Sequence, residues 1–161
     1  MNSGAVSVIT SRKDLTRPIL VGGALAGTFD LTSAFITFGL GNPRLIAGGL
    51  LGKPALQGGT GTWILGVFLH YFIACSAAAI FCLTSSRLRF LKDHWVVSGL
   101  FYGIAIYLVM FLVVLPLCAY HFMGPYQYKD LLKGILTHML IIGLPISFSL
   151  RWLQVRHSGI D

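Results

Sequence analysis

Glutamate is absent from this chain of 161 residues, and five aspartates carry all of its side-chain negative charge. Charged residues make up 11% of the sequence, against roughly 25% in a typical soluble domain. A chain this poor in charge cannot clothe a core in a water-facing surface. Cysteine is also sparse. Cys75, Cys82 and Cys118 all lie in apolar segments and no CxxC occurs, which leaves no disulfide framework and reads as small apolar packing. The glycine cluster Gly58, Gly59 and Gly61 is followed by no strand and no phosphate-binding lysine, so it is no P-loop. No Ser–His–Asp nucleophile can be assembled from the sequence, and no catalytic motif is found.

What is present is apolar: 55% of the residues are hydrophobic. A helix needs about 20 apolar residues to cross a bilayer, so four spans and their loops consume the whole chain as one membrane domain. The pattern predicts an all-α, four-helix polytopic bundle with spans at about 18–40, 61–84, 94–116 and 131–152. Ala24-Leu25-Ala26 has the look of a signal-peptidase site, but the apolar run continues well past it, so the first span is read as an uncleaved helix. Residues 41–60 are rich in glycine and contain Pro43 and Pro54. They are too broken to span, and an interfacial or re-entrant segment is expected there, with Asn42 ahead of Pro43 placed to cap its start.

The net charge of +7 does not point to nucleic acid. The basic residues sit in short groups at the ends of apolar runs, where membrane topology places them. Arg12, Lys13, Arg17, Arg87, Arg89, Lys92, Arg151 and Arg156 fall on one side, against Arg44, Lys53, Lys129 and Lys133 on the other. Eight against four puts both termini in the cytoplasm. Trp63, Tyr120, Tyr126 and Tyr128 would mark the outer interface, and Trp95 and Trp152 the inner one. His94, His121 and His157 read as interfacial or exposed and receive no role.

Three ionisable groups interrupt the spans: Asp30, His70 and His138. Each costs about 3 kcal/mol at mid-bilayer unless it faces the protein interior. At about 1.5 Å per residue all three fall roughly 16–18 Å from the inner face, and Tyr107 falls at the same depth. Each helix thus contributes one group to a polar layer. Helical spacing puts these groups on stripes of small residues, where membrane helices pack closely. Gly23 and Gly27 flank Asp30, Gly66 precedes His70, Gly99 and Gly103 line up with Tyr107, and Gly134 precedes His138. Ser33 and Thr37 continue the Asp30 stripe, while Leu25, Phe29 and Ile36 point the other way.

Such a layer supports several readings. It can be a hydrogen-bond cluster that fixes helix order. It can exchange protons or bind an ion or a small ligand, since a carboxylate and two imidazoles can pass a proton near neutral pH, where a free imidazole titrates at about 6.5. His70 and His138 could instead ligate a b-type haem, the cofactor alternative; no other metal or cofactor is indicated. The chain could also be a structural or accessory subunit of a membrane complex, or a homo-oligomer, since four short helices make a small transporter.

From Trp63 to Pro116 the sequence, with GVFLHYFIACSAAAIF, a basic turn and SGLFYGIAIYLVMFLVVLP, resembles the YagU-like group of bacterial inner-membrane proteins. KGILTHMLIIGLPISFSLRW is similar to that group's final helix. The resemblance covers roughly the C-terminal two-thirds and implies a bacterial inner-membrane location, with histidine at positions 70 and 138. It gives no support to Asp30 and implies no biochemical activity.

Overall fold

The structure is a computed structural model that describes residues 15–121 and 127–157, the last four of these by backbone alone. Arg12, Lys13 and Tyr126 lie outside the described residues, as do the side chains of Arg156 and His157. Helices dominate, and no strand occurs among the described residues. In chain order they are α1 (Thr16–Phe38), α2 (Asn42–Leu51), a 3-10 turn (Lys53–Gln57), α3 (Thr60–Arg87), α4 (Phe90–Asp93), α5 (Trp95–Leu117) and α6 (Tyr128–Leu153). The backbone of α6 stays helical to His157. Among the described residues, α1, α3, α5 and α6 are the helices long and apolar enough to cross a membrane. The protein is a multi-pass membrane bundle.

The helix ends follow from local chemistry. Gly39 ends α1 and Gly52 ends α2, each at positive φ (78° and 82°), where a side chain would be strained. Asn42 does not cap α2. It is the first helical residue, Gly41 precedes it, and no side-chain cap bond forms. Pro43 sits in the first turn, where its missing N–H costs nothing. The loop α2 is docked rather than free. Pro43 packs directly on Gly66 of α3, six residues below Thr60, so α2 starts about 9 Å beneath the top of α3 at ~1.5 Å per residue. Gly66 therefore serves α2 and not a neighbouring span. At the other end of α2, the Ala119 N–H donates to Gly49 O at 2.8 Å. Tyr120 lies against Gly48, and burial, then Cys118, pushes its phenol pKa up.

The spans meet backbone to backbone. α1 meets α3 where a Cβ on Gly23 would stand 2.7 Å from the Cys75 Cα, and where Gly27 faces Tyr71 and Ala74. α1 meets α6 where Gly22 faces Ile146 and Ser149. α5 meets α6 where Gly99 and Gly103 receive the stretch His138 to Ser147, and where Gly143 abuts the carbonyl of Gly99. The order across the bundle is α3, α1, α6, α5. The outer pair, α3 and α5, is bridged by Tyr102, whose hydroxyl donates to Ala77 O at 2.6 Å and whose ring packs 5.0 Å from that of Phe81. Ala26, Ala77, Ala78, Phe81, Cys82, Ile142, Ile146 and Leu150 fill the centre. Large apolar groups such as Phe29 and Ile36 (83% exposed) face outward, as lipid contact requires.

Two spans widen by one π turn, Met110–Val114 in α5 and Met139–Gly143 in α6. Each precedes a proline, Pro116 and Pro145. The proline ring clashes with the carbonyl four residues before it and offers no N–H, and a π turn relieves both. In α6 the widening brings Gly143 onto Gly99. A valine at 143 would drive its side chain into the Gly99 carbonyl, an overpacking worth about 1–3 kcal/mol. Gly143→Val is expected to lower the melting temperature in detergent. Gly61→Ala, whose Cβ meets nothing within 4 Å, should leave it unchanged or raise it through helix propensity of about 1 kcal/mol.

Candidate functional site

The same glycine contacts set the polar side chains. Gly27 lets α3 approach α1, and the ring of His70 lands over the Gly27 carbonyl. Its Nε2–H donates there at 2.9 Å. Tyr71, the next residue, packs on Gly27 and shares a 3.0 Å hydrogen bond with Thr28 Oγ1. Gly103 lies against the His138 carbonyl and so fixes the depth of His138. Gly134 has no side chain to fend off Tyr107, whose hydroxyl would lie 2.8 Å from a Cβ there. Tyr107 is consequently buried and packs edge-on to His138, ring centroids 5.0 Å apart.

Asp30 lies beside His70. Its Oδ2 lies 3.9 Å from His70 Nε2, too far for a hydrogen bond but close enough for an ion pair when the imidazole is protonated. Its charge also acts directly on His138. No hydrogen bond to the Asp30 carboxylate is found among the described residues, and its side chain is 26% exposed. Asp30, His70, Tyr107 and His138 thus occupy one neighbourhood, with Asp30 beside the His70 ring, His138 within electrostatic reach of Asp30, and Tyr107 reached through His138.

The hydrogen bonds assign the tautomers. A carbonyl acceptor demands a donor, so His70 carries its proton on Nε2 and His138, which donates from Nδ1 to Gly134 O at 2.9 Å, carries its own on Nδ1. Each neutral ring keeps one nitrogen lone pair, Nδ1 on His70 and Nε2 on His138. The site therefore holds a carboxylate and two basic nitrogens, all able to take a proton. For haem the fit is partial. His138 keeps Nε2 available while Nδ1 is anchored on a carbonyl, a usual arrangement for a ligating histidine. His70 spends Nε2 on the Gly27 carbonyl, so a haem iron would have to break that bond or be held through Nδ1.

Some residues that build the site are not evident from spacing around the ionisable groups. Gly22 and Gly143 make close backbone contacts, and Tyr71 and Tyr102 make interhelical hydrogen bonds. Gly143 had one signal: the Gly99–Gly103 pair needs a small partner on the facing helix, and Gly143 lies one turn past His138.

No family model matches the chain, and neither a curated protein nor a solved structure matches it.

The partly exposed, unbonded carboxyl of Asp30 should react from the lipid side. A hydrophobic carbodiimide is expected to add once per chain, at the peptide containing Asp30, with a water-soluble carbodiimide failing to do so. Peptide mapping checks this. An adduct that persists in Asp30→Asn, with none at the Asp30 peptide of the native chain, would show that the carboxyl is shielded.

Proposed function

We propose that this protein exchanges protons at a mid-bilayer site made of Asp30, His70 and His138, with Tyr107 seating the His138 ring. The observation that carries this reading is the Asp30 carboxylate, 3.9 Å from His70 and without a hydrogen bond among the described residues. A carboxylate left bare in hydrocarbon is costly, about 3 kcal/mol on insertion scales. A proton held on Asp30, or on either imidazole beside it, makes the cluster neutral. The two states differ in where one proton resides, on Asp30 or on the free nitrogen of an imidazole, Nδ1 of His70 or Nε2 of His138. A purely structural cluster would be expected to satisfy its carboxylate with the available N–H groups. Here both N–H groups are committed to backbone carbonyls instead.

The membrane is proposed to be a bacterial inner membrane, with both ends of the chain in the cytoplasm. Support comes from the eight-to-four division of basic residues and from the resemblance of Trp63–Pro116 to YagU-like proteins. Arg87 closes α3, and Lys129 and Lys133 fall within the first two turns of α6, so these charges sit at helix ends on opposite sides of the bundle.

Proton flux into liposomes containing the purified protein, driven by a pH gradient and read by a trapped pH dye, tests the proposal. Asp30→Asn is expected to cut the flux by at least about tenfold, equivalent to a barrier rise of about 1.4 kcal/mol, with the melting temperature retained. His70→Gln should also reduce it. Flux equal in the native protein and Asp30→Asn, or equal to protein-free liposomes, would defeat the reading.

A further inference from the structure

α1 does not pack along the whole of α6. It contacts the half that follows the π turn and the π turn itself, while the half from Tyr128 to His138 packs on α5. The divergence leaves a shallow groove of about 480 Å³, wide open to the side of the bundle. Leu132, Leu136 and Leu140 line its length, Ser33 of α1 forms its other wall, and Lys129 and Lys133 stand at its mouth.

We propose that this groove binds one acyl chain of an anionic phospholipid, with the phosphate held by Lys129 and Lys133. Length, chemistry and charge agree on this occupant. From Lys129 to Leu140 the helix rises roughly 16 Å at 1.5 Å per residue, close to half of the ~30 Å hydrocarbon core, which is the depth of one leaflet. Below the lysines the lining is mainly apolar, with Ser33 and Thr137 as its only hydroxyls, and it is basic only at the mouth, matching an acyl chain beneath a negative headgroup. The two lysines are one helical turn apart and share one face. Neither is in an ion pair, since the salt-bridge contact found among the described residues is that of His70 with Asp30. Interfacial lysines commonly snorkel, but these two line the groove itself. The proposal is independent of proton exchange, because the variants that test it leave Asp30, His70 and His138 intact.

Native mass spectrometry of the full chain, equilibrated with equal amounts of phosphatidylglycerol and phosphatidylcholine, tests it. The native protein should retain one phosphatidylglycerol in preference to phosphatidylcholine by roughly tenfold. The double substitution Lys129→Gln with Lys133→Gln should abolish the preference. Leu136→Trp, at a position 49% exposed and so tolerant of bulk, should fill the groove and release the lipid although both lysines remain. Glycerol phosphate should not compete. No preference in the native protein, a preference that survives the lysine substitutions, retention unchanged in Leu136→Trp, or displacement by glycerol phosphate would each overturn the proposal.

Discussion

Gly143 on α6 touches the carbonyl of Gly99 on α5, and the arrangement of the polar side chains follows from that contact. Between helices in lipid there is no hydrophobic drive to associate, because the tails are as apolar as the side chains. Attraction comes from close packing, which small residues permit. The α5–α6 seam is such a contact, and it exists because α6 widens into a π turn at Met139–Gly143 ahead of Pro145. The widened turn brings His138 and Met139 onto Gly103. His138 then meets Tyr107, and Gly134 makes room for the Tyr107 ring. Proline, π turn, glycine and imidazole form one causal chain, in which the proline acts on a histidine seven residues away.

Glycine has a second role in this bundle. In a membrane core a buried N–H must find a partner inside the protein. Helix carbonyls already accept one hydrogen bond and have a second lone pair, but a side chain usually screens it. His70 and His138 both donate to glycine carbonyls, Gly27 on a neighbouring helix and Gly134 on its own. These glycines allow close approach and also leave their carbonyls open. Both rings are anchored without using Asp30. That division separates a fixed scaffold of hydrogen bonds from a loosely held carboxylate, and proton exchange requires a group that is not locked.

The span count, the helical fold and the small-residue stripes were legible because they depend on composition and on a fixed rise per residue. The same fixed rise put Asp30, His70, Tyr107 and His138 at one expected depth. Helix ends were less legible. Hydropathy starts the last span near Leu131, yet α6 begins at Tyr128, since Lys129, Asp130 and Lys133 are good company for a helix in water though poor company for lipid. Asn42 looked like a cap by residue type, but Gly41 and Pro43 place it inside α2. Gly66 looked like a contact for another span, yet it receives Pro43. A stripe of small residues tells where a helix can be approached closely, and the identity of the approaching element depends on the whole chain. The π turns were legible only as the prolines that induce them, so the partner of Gly99 could not be deduced from spacing.

The groove beside α6 has the same origin as the tight seams. Along α6 the face toward α1 carries Ile146 and Ser149 opposite Gly22, and there the helices close up. In the opposite half, that face carries Leu140, Leu136 and Leu132 opposite Ser33, and the one glycine there, Gly134, faces Tyr107 of α5 instead. The helices therefore touch at one end and part at the other. The parting point lies near the π turn, adjacent to His138, and Ser33 is one turn beyond Asp30. The polar cluster consequently sits where close packing gives way to an open side. A carboxylate in the closed half would be sealed among small residues, and one at the far end of the groove would be in water. At the junction Asp30 stays beside His70 while about a quarter of its side chain remains exposed, as the proposed proton exchange requires.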